Sequence, residues 1–222
     1  MSSVNVLFKI LLPLYFGLIF CLAVLLPFRF KRVDKASRFI CILVWTGFLA
    51  ELVARYASVR YHNNMPVYAI NRLVEFGLIS LYFNYSVDVF TKHRVGYIIG
   101  AIVILIGVAN SIWYQPLNTL NTLYIFLECI GVVCMSLYSF YRLLLTNTSI
   151  RLHERVHFWI PCIFVFNWCG TLSCWGLYDY FRKGITEKLP ILNISLVLIN
   201  TLTYLAFGLI FLLYPKMKSI DE

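Results

Sequence analysis

The chain has 222 residues, of which 61% are hydrophobic and only 13% charged, with a net charge of +9 and a mean hydropathy of +0.80. A soluble domain carries roughly 25% charged residues, so the composition excludes a soluble globular protein, and with it disorder and disulfide-dense secreted scaffolds. What remains is an all-α polytopic membrane protein in one domain, residues 1–222.

A membrane-crossing helix needs about 20 apolar residues. Seven segments meet that expectation: 5–28, 38–58, 66–87, 95–114, 118–143, 157–180 and 190–214. The first is too long for the apolar core of a cleavable signal peptide, and its basic cluster follows rather than precedes it, so it is expected to be retained. The loops are short and no segment is left for a soluble domain. Any binding or chemistry is therefore expected inside the bundle or on small loops.

The positive charge follows topology. Arg29, Lys31, Arg32, Lys35 and Arg38 follow the first segment, Lys92 and Arg94 the third, Arg142, Arg151 and Arg155 flank the loop after the fifth, and Lys216 and Lys218 follow the seventh. The opposite loops carry only Lys9, Arg55, Arg60, Arg182, Lys183 and Lys188. The excess marks the cytoplasmic face, which predicts a seven-helix bundle of the cell membrane with its N-terminus outside and its C-terminus cytoplasmic. Topology accounts for the charge, so no direct nucleic-acid binding is expected.

The seven cysteines all fall inside predicted helices and read as apolar filler, not as a disulfide framework. Aromatic residues at helix ends, among them Tyr56, Trp113, Trp159 and Trp175, read as interfacial belts. His153-Glu154-Arg155-Val156-His157 matches HExxH, in which two His one turn apart hold zinc and the Glu acts as base. A third ligand is not evident, the neighbours are cationic and the motif sits in a loop, so no metal site and no cofactor are expected. No Gly-rich phosphate loop, GxSxG elbow or Schiff-base lysine in the last segment is present.

The informative residues are polar groups within the apolar segments: Glu51 and Arg55; Asn71, Arg72 and Glu75; Asn110; Asn121 and Glu128; Asn167; Asn193 and Asn200. At 1.5 Å per residue, Asn71, Asn121 and Asn193 are expected roughly 5–8 Å below the outer face, and Glu75, Glu128 and Asn200 about 14–15 Å down. Ionisable groups at that depth are costly unless partnered, so these side chains are expected to converge. The arrangement is either a static network, in which Arg55 and Arg72 neutralise carboxylates, or a polar pocket open to the outside.

Asn71-Arg-Leu-Val-Glu75-Phe, Asn121-Thr-Leu-Tyr124, Phe158-Trp159-Ile160 with Gly170-Thr171, and Asn200-Thr-Leu-Thr-Tyr204 resemble the seven-helix membrane sensor modules of Bacteroidetes, which often precede a histidine kinase. No kinase, dimerisation coil or receiver is expected to follow Glu222. The resemblance thus implies a non-enzymatic, stand-alone sensor or regulatory protein that signals through a protein partner at the cytoplasmic face. Architecture alone also admits an accessory membrane protein of a defence system such as type VI CRISPR. A membrane-embedded hydrolase and a small-molecule transporter are further alternatives. Neither ligand nor oligomeric state is legible.

Overall fold

The computed structural model describes residues 3–145, 152–184 and 189–214, and within them the chain is all-helical. Eight helices follow one another: α1 Ser3–Arg29, α2 Lys35–Tyr61, α3 Met65–Ser86, α4 Asp88–His93, α5 Val95–Trp113, α6 Thr122–Leu145, α7 Val156–Gly184 and α8 Leu189–Leu213. Six of them, all except α3 and α4, are long and apolar enough to cross a membrane, and the chain is a helical, multi-pass membrane protein.

The helix boundaries have local causes. Pro27 lacks an N–H, which frees the carbonyl of Ala23 one turn back, and the Trp45 indole N–H of α2 donates to that oxygen at 2.8 Å. Asp34 caps α2 by accepting from the Ser37 amide at 2.7 Å, so α2 begins at Lys35, three residues before the predicted 38. His62, in the left-handed region at φ 55°, ends α2. Asn63 then accepts from the Met65 amide, and Pro66 opens α3.

Two expectations need correction. Residues 88–93, read as part of a loop, form the short helix α4, fastened by a two-pronged contact from Arg142 to Asp88. The sixth helix starts at Thr122 and not at 118, because residues 114–121 make a turn held by side chains. In that turn Asn110 bonds Asn121 and donates to Gln115, Gln115 donates to Thr122, and Asn121 donates to Ser111. Asn121 therefore precedes its helix instead of lying inside it.

The long helices close a ring in the order α1, α2, α3, α5, α6, α7, α8 and back to α1, and α3 also touches α6 across the ring. On α3 only Ile70 and Val74 are exposed. Phe76, Ile79, Tyr82 and Phe83 of this helix are fully buried in the core with Phe164 and Ile160 of α7 and Val132 of α6. This explains why α3 alone among the long helices falls short of membrane-like apolarity: its neighbours, rather than lipid, surround most of its surface. Close approach of α5 to α3 is set by small residues. A Cβ on Gly96 would lie 2.4 Å from the Ser80 carbonyl oxygen, and one on Gly107 2.6 Å from the Leu73 side chain and 2.4 Å from the Tyr124 ring of α6.

The turn after α1, the ends of α3, α6 and α8 and the start of α7 meet at one end of the bundle. Asp34, Tyr82, His157 and Tyr214 bond one another there, and Arg142 reaches Asp88.

Candidate ligand cavity

Five helices each give one stripe to a cavity of about 470 Å³. On α2 the stripe is Leu43, Thr46, Gly47, Ala50 and Glu51; on α3 it is Met65, Tyr68, Asn71, Arg72 and Glu75. On α8 it is Asn193, Leu196, Val197, Asn200 and Tyr204; α7 adds Asn167, Trp168, Thr171 and Trp175, and α1 adds Phe8, Leu12 and Tyr15. These spacings of three, four and seven are what one helix face presents. Asn64, Met65 and Leu120 put the rim at the end of the bundle that bears the α2–α3 turn. Glu75 lies ten residues along α3 from Met65, which makes the cavity about 15 Å deep. Gly47 is needed at its wall, since a Cβ there would meet the Tyr204 hydroxyl at 2.7 Å.

Seven of the eleven polar residues singled out in the sequence line this one space: Glu51, Asn71, Arg72, Glu75, Asn167, Asn193 and Asn200. Glu128 stands directly behind the wall, wholly buried, with Arg72 donating to it at 2.9 Å. The remaining three lie elsewhere. Arg55 is exposed, with its guanidinium 5.1 Å from the Phe16 ring centre. Asn110 and Asn121 hold the α5–α6 turn together.

Of the expected arginine pairings, Arg72 with Glu128 is present, whereas Arg55 packs on Phe16 and Glu51 is held by tyrosines. Glu51 accepts from Tyr15 at 2.8 Å on one oxygen and from Tyr68 at 3.1 Å on the other. Arg72 has its hydrogen bond with Glu128 and places its guanidinium 6.0 Å from the centre of the Trp175 ring. Glu75 makes no hydrogen bond among the described residues, and neither do the side chains of Asn71, Asn193 and Asn200, although Asn167 accepts from Thr203 at 3.1 Å. Unpartnered polar groups inside a bundle are costly. Here they all border the same space, where water or a ligand can satisfy them.

Sequence reasoning missed the aromatic share of this wall. Tyr15, Tyr68 and Trp168 sit in apolar stretches and were not singled out, and Tyr204 entered only as part of the Asn200-Thr-Leu-Thr-Tyr204 motif. Trp175 was assigned to the interfacial belt, yet it lines the cavity beneath Arg72. The available clue was register: Tyr68 falls three residues before Asn71, and Tyr204 four after Asn200, each on the polar face.

HExxH does not lie on one helix. Leu152–Glu154 form a separate 3-10 turn, and α7 begins at Val156; the side chain of His153 lies outside the described residues. Both ring nitrogens of His157 are engaged. Nε2–H donates to the Asp34 carboxylate at 2.5 Å, and Nδ1 shares a hydrogen bond with the Tyr82 hydroxyl at 3.1 Å. Asp34 is also tied to Tyr214, whose hydroxyl accepts from the Asp34 amide at 2.9 Å. Burial of Asp34 favours its neutral form, but the hydrogen bond and charge of His157, together with the Ser37 bonds, outweigh it and lower the carboxyl to about 2. His157 thus serves as a buried link between α7, α2 and α3. No group of three or more His, Cys, Asp and Glu able to hold a metal occurs among the described residues.

Compared with protein-family models, with curated proteins and with solved structures, the chain matches none.

Proposed function

We propose that this chain is a seven-span sensor or regulatory protein of the cell membrane that binds a small polar ligand from outside and passes the event to a protein partner at the cytoplasmic face. In this reading α3 is the seventh span. Its 22 residues reach about 33 Å, enough for a hydrocarbon core of about 30 Å. The basic loops put the rim of the cavity outside and the Asp34–His157 cluster inside.

The observation that carries the proposal is the cavity itself: about 470 Å³, within the range of small-molecule sites, walled by a carboxylate and three amides that bond nothing else among the described residues. A static network would have paired these groups with one another. The second support is connectivity. The four helices joined by Asp34, Tyr82, His157 and Tyr214 are α2, α3, α7 and α8, and each of the four also lines the cavity. A ligand that draws α3 and α8 together at Glu75 and Tyr204 therefore acts on helices whose other ends share one buried hydrogen-bonded cluster. Among the residues behind the sensor-module resemblance, Asn71, Glu75, Asn200 and Tyr204 are cavity residues.

Cysteine accessibility tests this. With the exposed native cysteines Cys21, Cys134 and Cys169 replaced, Asn71→Cys and Asn200→Cys should react on intact cells with a small, membrane-impermeant thiol reagent. Ile70→Cys, exposed on the bundle's outer surface, should not. Labelling at Asn200→Cys should also change hydrogen exchange around Asp34 and His157. Equal protection of Asn71→Cys and Ile70→Cys refutes the open cavity. Labelling with no change around Asp34 refutes the transmission.

A further inference from the structure

Building on the cavity reading above, we infer that the ligand is a small organic cation whose ammonium group seats at Glu75 and Glu51, at the deep end of the cavity, among tyrosine rings. The argument starts from charge. The wall holds Glu51, Glu75 and Arg72, with Glu128 behind it, so one guanidinium faces three carboxylates. Arg72 is committed to Glu128 at 2.9 Å and lies over Trp175. Arg55 is exposed and packed on Phe16. Among the described residues no other cation lines the space. An anion entering would meet Glu75 and Glu51 with no uncommitted positive group among the described lining residues to receive it. A cation supplies the charge that the site lacks, and in a low-dielectric interior that match dominates selectivity.

The geometry narrows the class further. Glu75 has no hydrogen-bond partner among the described residues, so its oxygens are free for N–H donors. Glu51 accepts one phenol hydroxyl on each oxygen, which orients it and still leaves acceptor capacity. Tyr15, Tyr68 and Tyr204 share this wall, and aromatic rings attract organic ammonium ions. The volume is far larger than a bare inorganic ion requires, so the occupant has a body as well as a charge. Asn71 lies one turn above Glu75 and Asn193 two turns above Asn200, both toward the rim. Their amides offer donors and acceptors to the remainder of the molecule, so the bound pose is ammonium down, polar end up.

The test uses the full chain in detergent and four probes: 2-phenylethylamine as the cation, 2-phenylethanol as its neutral match, phenylacetate as the anion, and sodium or calcium chloride alone. Binding is read by the shift in thermal unfolding midpoint with probe concentration. The amine should bind at least tenfold more tightly than the alcohol and the carboxylate. Glu75→Gln should remove at least that factor for the amine and leave the alcohol unchanged, while Arg55→Gln should behave as the wild type. The wild-type preference among the probes stands as evidence even if Glu75→Gln fails to fold. Equal binding of amine and alcohol, or preference for phenylacetate, overturns the inference and leaves the cavity reading intact. Stabilisation by the chlorides that competes with the amine indicates an inorganic cation and also overturns it. Failure of every probe overturns the organic-cation assignment; only if the cavity cysteines also resist labelling does the cavity reading fall with it.

Discussion

The contact between Arg72 and Glu128 should behave asymmetrically when one partner is removed. Glu128 is wholly buried and its other oxygen, Oε1, has no partner among the described residues, so Arg72 is the one group among them that compensates its charge. The Arg72 side chain is 23% exposed and borders the cavity, where water reaches it and the Glu75 carboxylate lies nearby. Arg72→Met therefore strands a buried charge and should cost about 3–5 kcal/mol, the range for breaking a buried pair. Glu128→Leu leaves an arginine that can still be solvated from the cavity, and should cost about 1–2 kcal/mol, near that of a lost hydrogen bond to a charged group. Combining the two removes both charges, and the double variant should return to within about 2 kcal/mol of the wild type, a coupling of at least that size. The assay is equilibrium unfolding in a fixed detergent at neutral pH for all four proteins. The reasoning fails if Glu128→Leu costs as much as Arg72→Met, or if the double variant loses the sum of the two.

Three further outcomes follow from other parts of the molecule. A reporter fused at the C-terminus should be active in the cytoplasm; activity outside would invert the cavity and remove its access for external ligands. Asp34 titrates at about 2 in the folded protein against roughly 3.9 unfolded, and a depressed carboxyl stabilises above its unfolded value. That contribution, about 2 kcal/mol, should be present above pH 4 and vanish as pH falls towards 2; comparing the wild type with Asp34→Asn isolates it, and identical acid profiles would count against the His157 link. Gly96→Ala should destabilise by about 1–3 kcal/mol, because its Cβ would press on the Ser80 backbone carbonyl of the facing helix. Gly17→Ala, with nothing within 4 Å, should be neutral or stabilising by up to about 1 kcal/mol, and similar losses at both positions would refute the close-packing account.

Much of the architecture is local and so legible in the sequence. The apolar runs announce helices, because a backbone in hydrocarbon must satisfy its own hydrogen bonds, and those runs put six of the eight helices among candidate spans. The helical stripes were legible too: Asn71 with Glu75 and Asn193 with Asn200 share a face by spacing alone. Tertiary structure decided which stripes meet. Arg55 and Arg72 are both arginines inside apolar segments, yet the packing of α3 against α2 and α6 turns Arg72 to Glu128 while Arg55 remains exposed at Phe16. Asn110 and Asn121 look like cavity residues until the α5–α6 turn consumes them. Tyr15 and Tyr68, unremarkable in the chain, become the donors that hold Glu51. HExxH reads as a metal motif only on one continuous helix, and the break before Val156 sends His157 to Asp34, 123 positions away in the chain. Helix propensity and facial spacing act over a few residues, whereas the choice of partner depends on how whole helices are rotated against each other, which no short stretch of sequence encodes by itself.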